Sequence, residues 1–138
     1  METTHRVRLD REVVRLRGRT VGALGEQLAA RHLEDDDGLT VIAQNWRLSA
    51  GELRGELDLV AVEPASRAVV VCEVKARRDA GRFGGALGAV SPRKRAKVRA
   101  LAAAFLRDAD LGFSRVRLDV VAVDLGPNPV LRHVLGAL

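Results

Sequence analysis

A run of four apolar residues, Val69-Val70-Val71-Cys72, is followed at once by the charged residues Glu73 and, two positions on, Lys75. An uninterrupted apolar run of this kind is typical of a strand that is buried on both faces of a sheet. A charged side chain in such surroundings is costly unless it has a partner. We therefore expect this strand to lie inside a covered sheet, with a charge partner near Glu73.

The segments around this strand carry the start and stop signals of helices and strands. Thr20 predicts the start of a helix that runs to about Asp35 and closes at Gly38. Ser91-Pro92 predicts the start of a second helix, which runs to about Asp108. Strands are predicted over residues 39–48, 56–63, 67–77 and 115–125, with a short one over 129–138 and a glycine-bearing loop over 79–89. This order of elements predicts an α/β sandwich around a central mixed sheet.

The chain has 138 residues, which predicts one domain over residues 20–138. Residues 1–19 contain six arginines and few apolar residues, and are predicted to form a mobile basic extension. The longest apolar run has seven residues, whereas a membrane-spanning helix needs about 20. One cysteine cannot form an internal disulfide, and the first residues lack the pattern of a secretory signal. We therefore expect a cytoplasmic protein that does not bind membranes.

Positive charge is concentrated in one segment of the chain. Residues 75–99 contain nine basic residues and one acidic residue, a net charge of +8, against −3 for the rest of the chain. Such a concentration is expected for a protein that binds a polyanion, and the alternative is a solvated loop and helix. The candidate phosphate contacts are Arg77, Arg78, Arg93, Lys94 and Lys97. The chain has no Tyr and only three Phe and one Trp, which argues against stacking of single-stranded bases.

Two acidic residues, Glu56 and Asp58, lie on the strand before the apolar run. If a two- or four-residue loop joins the two strands, Asp58 lies opposite Glu73, and Glu56 lies opposite Lys75. Opposed like charges are destabilising, so two facing carboxylates require a compensating cation such as Mg²⁺. A three- or five-residue loop would instead separate the acids. The alternative interpretation is an edge hairpin without a binding site, in which Glu56 and Lys75 form a cross-strand ion pair and the two acidic side chains are solvated.

Each predicted helix contributes one further candidate. Glu26 has small neighbours at helical spacing, Gly22, Ala29 and Ala30, which would let its carboxylate approach the sheet. The alternative is a partly exposed helical glutamate. Lys94 lies in the first turn of the second helix, where a cation opposes the helix dipole unless an anion is near. The alternative is a lysine that extends past the sheet edge into solvent.

Other chemically versatile residues are assigned packing roles. His5, His32 and His133 are scattered along the chain, with no Cys or His at ligand spacing, so no zinc site is expected. Cys72 alternates away from Glu73 and is expected to be buried and inert. Trp46 is expected to pack in the core.

The ordered set of Gly55-Glu56-Leu57-Asp58 and Glu73-Val74-Lys75 resembles the signature of the PD-(D/E)XK, or restriction-endonuclease-like, nucleases. With Gly22–Glu26, Asn45-Trp46-Arg47 and the Lys94 helix, the chain resembles the bacterial YraN-like family, which is similar to archaeal Holliday-junction resolvases. The resemblance covers residues 20–138 and implies a restriction-endonuclease-like sandwich. It implies Asp58 and Glu73 as metal ligands, Lys75 as the residue that serves the water or the phosphate, and Glu26 as an additional ligand.

The resemblance implies an Mg²⁺- or Mn²⁺-dependent endonuclease that hydrolyses phosphodiester bonds in DNA rather than RNA, with branched or structured DNA suggested by the resolvases. A resolvase acting on a two-fold junction would be a homodimer, but no residue of the sequence identifies a dimer interface. One alternative is a nucleic-acid-binding protein that has the nuclease fold without catalysis. Another is a structural or protein-interaction module whose charges decorate the surface.

Overall fold

The computed structural model describes residues 3–11, 20–78, 91–112 and 115–137. Six strands form one mixed sheet in the order β1-β6-β5-β4-β3-β2, in which β4 and β5 are parallel and the other neighbours antiparallel. The strands are β1 (Thr3–Arg8), β2 (Thr40–Ala50), β3 (Leu53–Glu63), β4 (Ala68–Arg77), β5 (Arg115–Asp124) and β6 (Val130–Leu135). The helices are α1 (Val21–Arg31), which continues into a π-helical turn (His32–Asp36), and α2 (Pro92–Ala109). The predicted α/β sandwich is confirmed.

Within the described residues, one helix packs on each face of the sheet. Leu24 and Leu28 of α1 pack in one core with Val70 of β4. Leu101 and Phe105 of α2 pack in a second core on the other face, together with the following residues: Leu57, Val60, Val69, Val71 and Val120. The side chains of Val69, Val70, Val71 and Cys72 have no exposed surface, so the prediction that β4 is buried on both faces is confirmed.

The predicted helix ends are confirmed by their capping contacts. The Thr20 hydroxyl accepts a hydrogen bond from Ala23 N at 3.1 Å, and the Ser91 hydroxyl accepts one from Lys94 N at 3.2 Å. Gly38 has a φ of +69°, a conformation that glycine adopts without strain, and it closes the turn after α1. Neither helix described here is both long and apolar enough to cross a membrane.

The prediction of a mobile extension over residues 1–19 is wrong for Thr3–Arg8, which form an edge strand. Strand β1 pairs with β6 along its whole length, and Leu9 N donates to Pro129 O at 3.0 Å. Five of its six side chains are exposed, so the strand lacks the apolar pattern by which sequence reasoning finds strands. Backbone hydrogen bonds to the free edge of β6 order it instead. Residues 12–19, like the predicted loop over 79–89, lie outside the described residues.

Candidate metal and phosphate site

The sheet separates locally between β3 and β4. Their ladder begins at Glu63–Ala68 and ends at Leu59–Cys72, although both strands continue. Past the Leu59–Cys72 pair the two strands no longer pair with each other. Each keeps the partner on its other edge: β3 stays paired with β2 as far as Leu53, and β4 stays paired with β5 as far as Arg77. We call the opening between the two strands the β3–β4 gap. The four-residue loop between Glu63 and Ala68 gives the hairpin register that the sequence predicted.

Asp58 lies at the start of this gap and bridges it. Its Oδ2 accepts a hydrogen bond from Val74 N at 2.8 Å, which replaces the missing backbone partner of that amide. The Asp58 and Glu73 carboxyl groups are close enough to share a proton, so the structure brings the two predicted carboxylates together. The hairpin register alone does not explain why Asp58 and Glu73 are close, because the β3–β4 ladder ends before these two residues.

Glu73 has a buried carboxyl group that is incompletely partnered. Its side chain is only 9% exposed, and its Oε1 atom has no hydrogen-bond partner within the described parts of the chain. Burial, and then the adjacent Asp58 carboxylate, raise the pKa of Glu73 to about 8, and the lysines Lys94 and Lys75 oppose this shift only in part. A buried oxygen without a partner beside a second carboxylate is an arrangement that a bound cation would stabilise.

Helix α1 brings a third carboxylate to the gap from the other face of the sheet. Gly25 makes this possible, because a Cβ at that position would lie 2.4 Å from the Cβ of Ala76 on β4. Carboxylate oxygens of Glu26, Glu56 and Asp58 consequently lie within 4.8 Å of one another. Burial, and then the charges of Asp58 and Glu56, raise the pKa of Glu26, while a hydrogen bond with Asn45 opposes the shift.

Two lysines face each other on the α2 face of the gap. Val74 and Ala76 pack in the α1 core, so alternation along β4 directs Glu73 and Lys75 to the α2 face. The Lys75 and Lys94 side chains are close enough to hydrogen-bond. Burial, and then the charge of Lys94, lower the pKa of Lys75. Two neighbouring ammonium groups repel each other, and an anion between them would relieve the repulsion.

Glu56 does not lie opposite Lys75, and this part of the predicted hairpin geometry is wrong. The β3–β4 ladder ends before these positions, and Glu56 lies opposite Arg47 of β2 instead. Arg47 Nε donates to Glu56 Oε2 at 3.0 Å, so Glu56 already has a cationic partner. Glu56 is therefore less available than Asp58 to bind a metal ion.

The described basic candidates lie at the end of β4 and along the start of α2. Arg77 and Arg78 are exposed at the carboxyl end of β4, and Arg93 is exposed in the first turn of α2. Lys97 packs its stem near Gly55, where a Cβ would lie 3.0 Å from Lys97 Cε. The region around the gap thus combines carboxylates inside with positive charge at its margin.

Sequence reasoning missed the role of Asn45 in the site. Asn45 has a φ of +52°, an uncommon conformation for a residue other than glycine, and its side chain holds Glu26. No pattern in β2 distinguishes Asn45, because polar residues such as Gln44 and Arg47 lie beside it in the same strand. Two packing predictions are confirmed: Cys72 is fully buried, and the Trp46 ring packs edge-on against Phe105 at 5.3 Å.

The chain is similar to known proteins over most of its length. A family model described as "Uncharacterised protein family UPF0102" matches residues 25–123. A UPF0102 protein of Mycobacterium ulcerans is 44% identical over 118 residues, which are 84% of this chain and 92% of the relative. A UPF0102 protein of Mycolicibacterium gilvum is 47% identical over 118 residues, covering 84% of this chain and 91% of the relative. A UPF0102 protein of Acidothermus cellulolyticus is 41% identical over 129 residues, covering 85% and 92%.

Proposed function

The chain belongs to the family UPF0102, and from the site described above we propose that it is a divalent-metal-dependent endonuclease acting on DNA. One observation carries this proposal. The β3–β4 gap contains both a buried carboxylate oxygen of Glu73 without a hydrogen-bond partner among the described residues and two lysines, Lys75 and Lys94, that lie next to each other. The two lysines and the carboxylates compensate one another only in part, because the charges of Lys94 and Lys75 do not offset the rise in the pKa of Glu73. A metal ion together with a phosphodiester group would complete this compensation.

The residues of the gap fit a hard divalent cation. Mg²⁺ and Mn²⁺ prefer oxygen ligands, and Mg²⁺ commonly takes one or two carboxylates with waters and phosphate oxygens completing its coordination. Asp58 and Glu73 would hold the ion, with Glu26 as an additional ligand. Bound there, the ion would neutralise charge on the phosphodiester and lower the pKa of a water molecule. Without the metal ion, the pKa of Glu73 is about 8, so this carboxyl group is protonated at neutral pH.

Lys75 has two properties that suit phosphodiester hydrolysis. Its lowered pKa gives it a larger fraction of free amine at neutral pH, so Nζ can accept the proton of the attacking water. The oxygen of that water then forms a bond to phosphorus, the opposite P–O ester bond breaks, and the leaving oxygen keeps the electron pair of that bond and takes a proton from solvent. Alternatively, the ammonium form of Lys75 neutralises the charge that develops on the phosphate.

Lys94 and the basic start of α2 would bind the flanking phosphates. Contacts of lysine and arginine with phosphate are independent of base sequence and weaken with salt. The same feature supports a second candidate, a DNA-binding protein without catalysis, because the lysine pair would attract phosphate whether or not a metal ion is bound.

Cleavage assays separate the two candidates. Full-length protein is incubated with end-labelled linear duplex, flap and four-way-junction DNA, and with matched RNA, in Mg²⁺, Mn²⁺ or EDTA. Asp58→Asn keeps the hydrogen bond to Val74 but removes the charge, and Lys75→Met removes the amine. Exposed Glu52→Gln and Arg107→Ala are the matched controls.

We expect metal-dependent cleavage of DNA that falls by about 10²–10⁴-fold in Asp58→Asn and Lys75→Met and is unchanged in both controls. The preferred substrate then identifies the class of nuclease. Binding of every DNA without cleavage, with affinity that decreases steeply with salt and does not require metal, would support the non-catalytic candidate. Cleavage that persists in both site variants would contradict the assignment of the gap as the active site.

A further inference from the structure

The three histidines converge at the edge of the sheet where β1 pairs with β6, although they are far apart in sequence. His5 lies directly opposite His133 in the β1–β6 ladder. The π-helical turn after α1 brings His32 and Asp37 to the same place. The centre of the His133 ring lies 6.0 Å from that of His5 and 5.1 Å from that of His32. We call His5, His32, Asp37 and His133 the histidine cluster.

His32 and His133 are buried, and each ring has an outer nitrogen, which faces away from the other ring, and an inner nitrogen, which faces it. Each outer nitrogen is hydrogen-bonded to a carboxylate. His32 Nδ1 lies 2.7 Å from Asp36 Oδ2, and His133 Nε2 lies 2.7 Å from Asp119 Oδ2. An ionised carboxylate only accepts hydrogen bonds, so each ring donates its N–H there. Asp119 in turn accepts hydrogen bonds at 2.9–3.1 Å from Arg117 and from Gly136 N. Outer carboxylates orient metal-binding histidines in this same way.

When each ring carries a single proton, on the nitrogen that faces its carboxylate, the two inner nitrogens are both acceptors. His32 Nε2 and His133 Nδ1 are 3.0 Å apart. Asp37 Oδ2 lies 3.0 Å from His133 Nδ1 and 3.6 Å from His32 Nε2. Three acceptor atoms this close repel one another unless a cation lies among them. Ligand atoms around a tetrahedral zinc ion with bonds of about 2.0 Å are separated by about 3.3 Å, close to the observed spacing.

We propose that the histidine cluster is a binding site for a zinc-class transition-metal ion. The three closest ligand atoms are His32 Nε2, His133 Nδ1 and Oδ2 of Asp37. A ring nitrogen of His5 would be the fourth ligand after a shift towards the other three, since His5 Nδ1 lies 3.9 Å from Asp37 Oδ1 and His5 does not share ligand spacing with His32. Ligand atoms of His5, Asp37 and His133 lie within 4.8 Å of one another. Imidazole nitrogens select zinc-class ions over Mg²⁺, which prefers oxygen.

With His5 as the fourth protein ligand the site would have no open position, as is typical of structural zinc sites. The ion would join three elements that are distant in sequence: β1 through His5, the end of α1 and its π-helical turn through His32 and Asp37, and β6 through His133. Strand β1 has little buried surface of its own, so the metal ion would fasten it to the sheet. This inference does not depend on the proposed nuclease activity, because none of its residues lies in the β3–β4 gap.

The test uses full-length protein from which metal has been removed with EDTA, followed by removal of the EDTA. Zn²⁺ is titrated calorimetrically in the presence of excess Mg²⁺, and Co²⁺ is used as an optical reporter of tetrahedral coordination. Both titrations are repeated in Asp58→Asn, which disables the gap. His5→Ala and Asp37→Asn remove ligands at sites that are not fully buried, with 45% and 16% of their side-chain surfaces exposed. Glu34→Gln, an exposed acid on the same turn, is the matched control.

We expect one Zn²⁺ per chain in both wild type and Asp58→Asn, and a tetrahedral Co²⁺ spectrum. Affinity falls at least tenfold in His5→Ala and Asp37→Asn and is unchanged in Glu34→Gln. At 100 times the dissociation constant, Zn²⁺ raises the Tm of the wild type by about 5–10 °C. Absence of bound Zn²⁺ in Asp58→Asn, or affinity that neither ligand variant reduces, would overturn the proposal. The cation between the two rings would then be a proton.

Discussion

The β3–β4 gap and the histidine cluster are both built from titratable side chains, but they differ in how the chain assembles them. The gap is formed mainly by one hairpin, in which Asp58 reaches the amide of Val74 across 16 residues. The histidine cluster joins His32 to His133 across 101 residues. A site carried by one hairpin leaves a signature in the sequence, whereas a site made by sheet topology does not.

The two regions also differ in how completely their charges are compensated. In the gap, the Glu73 carboxylate is beside another carboxylate, and the Lys75 ammonium is beside another ammonium. In the histidine cluster, burial alone would raise the pKa of Asp119, but hydrogen bonds from His133 and Arg117 outweigh it and lower the pKa. The outer ring nitrogens of His32 and His133 are therefore well partnered by carboxylates, whereas like charges are left adjacent in the gap. This contrast favours chemistry in the gap and a structural role for the cluster.

If the two regions are independent, only substitutions in the β3–β4 gap will lower the rate of DNA cleavage. Asp58→Asn is expected to lower the cleavage rate by about 10³-fold, because a metal ligand and its charge are lost. His5→Ala is expected to leave the cleavage rate within about twofold of wild type, since His5 touches no residue of the gap among its described contacts. A large loss of cleavage in His5→Ala would show that the two regions are not separate.

A pair of glycine substitutions tests the close approach of α1 to the gap. Gly25→Ala places a methyl group 2.4 Å from Ala76 Cβ, and we expect it to lower the free energy of unfolding by about 1–3 kcal/mol. Gly22→Ala meets no described atom within 4 Å, and we expect it to raise the free energy of unfolding by about 0.5–1 kcal/mol. Urea denaturation measures both. Equal effects of the two substitutions would show that α1 does not pack as tightly as described.

The buried charge of Glu73 predicts a pH dependence of stability. The pKa of Glu73 is about 8 in the folded chain and about 4.3 in an unfolded one. Between these values the unfolded chain releases a proton that the folded chain keeps, so metal-free protein becomes less stable as pH rises. Glu73→Gln removes this loss, and its Tm is expected to exceed that of wild type by about 3–6 °C at pH 9 but to equal it near pH 4. Thermal denaturation in EDTA measures this difference, and a Tm gap independent of pH would contradict the raised pKa.

The smallest expected effect concerns Lys94. Lys94→Ala removes one phosphate contact, so it is expected to weaken DNA binding by about threefold to tenfold and to reduce the slope of log affinity against log salt by about one. Arg107→Ala, at the far end of α2, is the control and should leave the slope unchanged. Fluorescence anisotropy in metal-free buffer at several salt concentrations measures both slopes. Equal slopes in wild type and Lys94→Ala would exclude Lys94 as a phosphate contact.

Local signals were sufficient to predict much of the fold and the hairpin part of the site. Thr20 and Ser91 cap their helices as predicted, and the loop between Glu63 and Ala68 has the four-residue length that gives the predicted register. The register could not reveal where the β3–β4 ladder ends, because both strands continue past that point, each paired on its other edge, β3 with β2 and β4 with β5. The predicted Glu56–Lys75 opposition was wrong for this reason.

The histidine cluster and β1 could not be predicted from the sequence, and the physical reason differs from that for the β3–β4 gap. Strand β1 is held by backbone hydrogen bonds, which every residue type offers, and its exposed side chains show no apolar alternation. Once β1 is placed beside β6, the opposition of His5 and His133 follows from the register. Without that placement, the two histidines are unrelated positions near the two ends of the chain.

Every function proposed for the β3–β4 gap depends on its carboxylates binding a divalent cation. The direct measurement is Mn²⁺ binding to the metal-free full-length chain, followed by electron paramagnetic resonance, with Mg²⁺ added as a competitor. We predict a Mg²⁺-displaceable Mn²⁺ site that is present in wild type and Glu52→Gln and lost in Asp58→Asn and Glu73→Gln. Displaceable Mn²⁺ binding that is the same in all four proteins would contradict the assignment of the gap as a metal site.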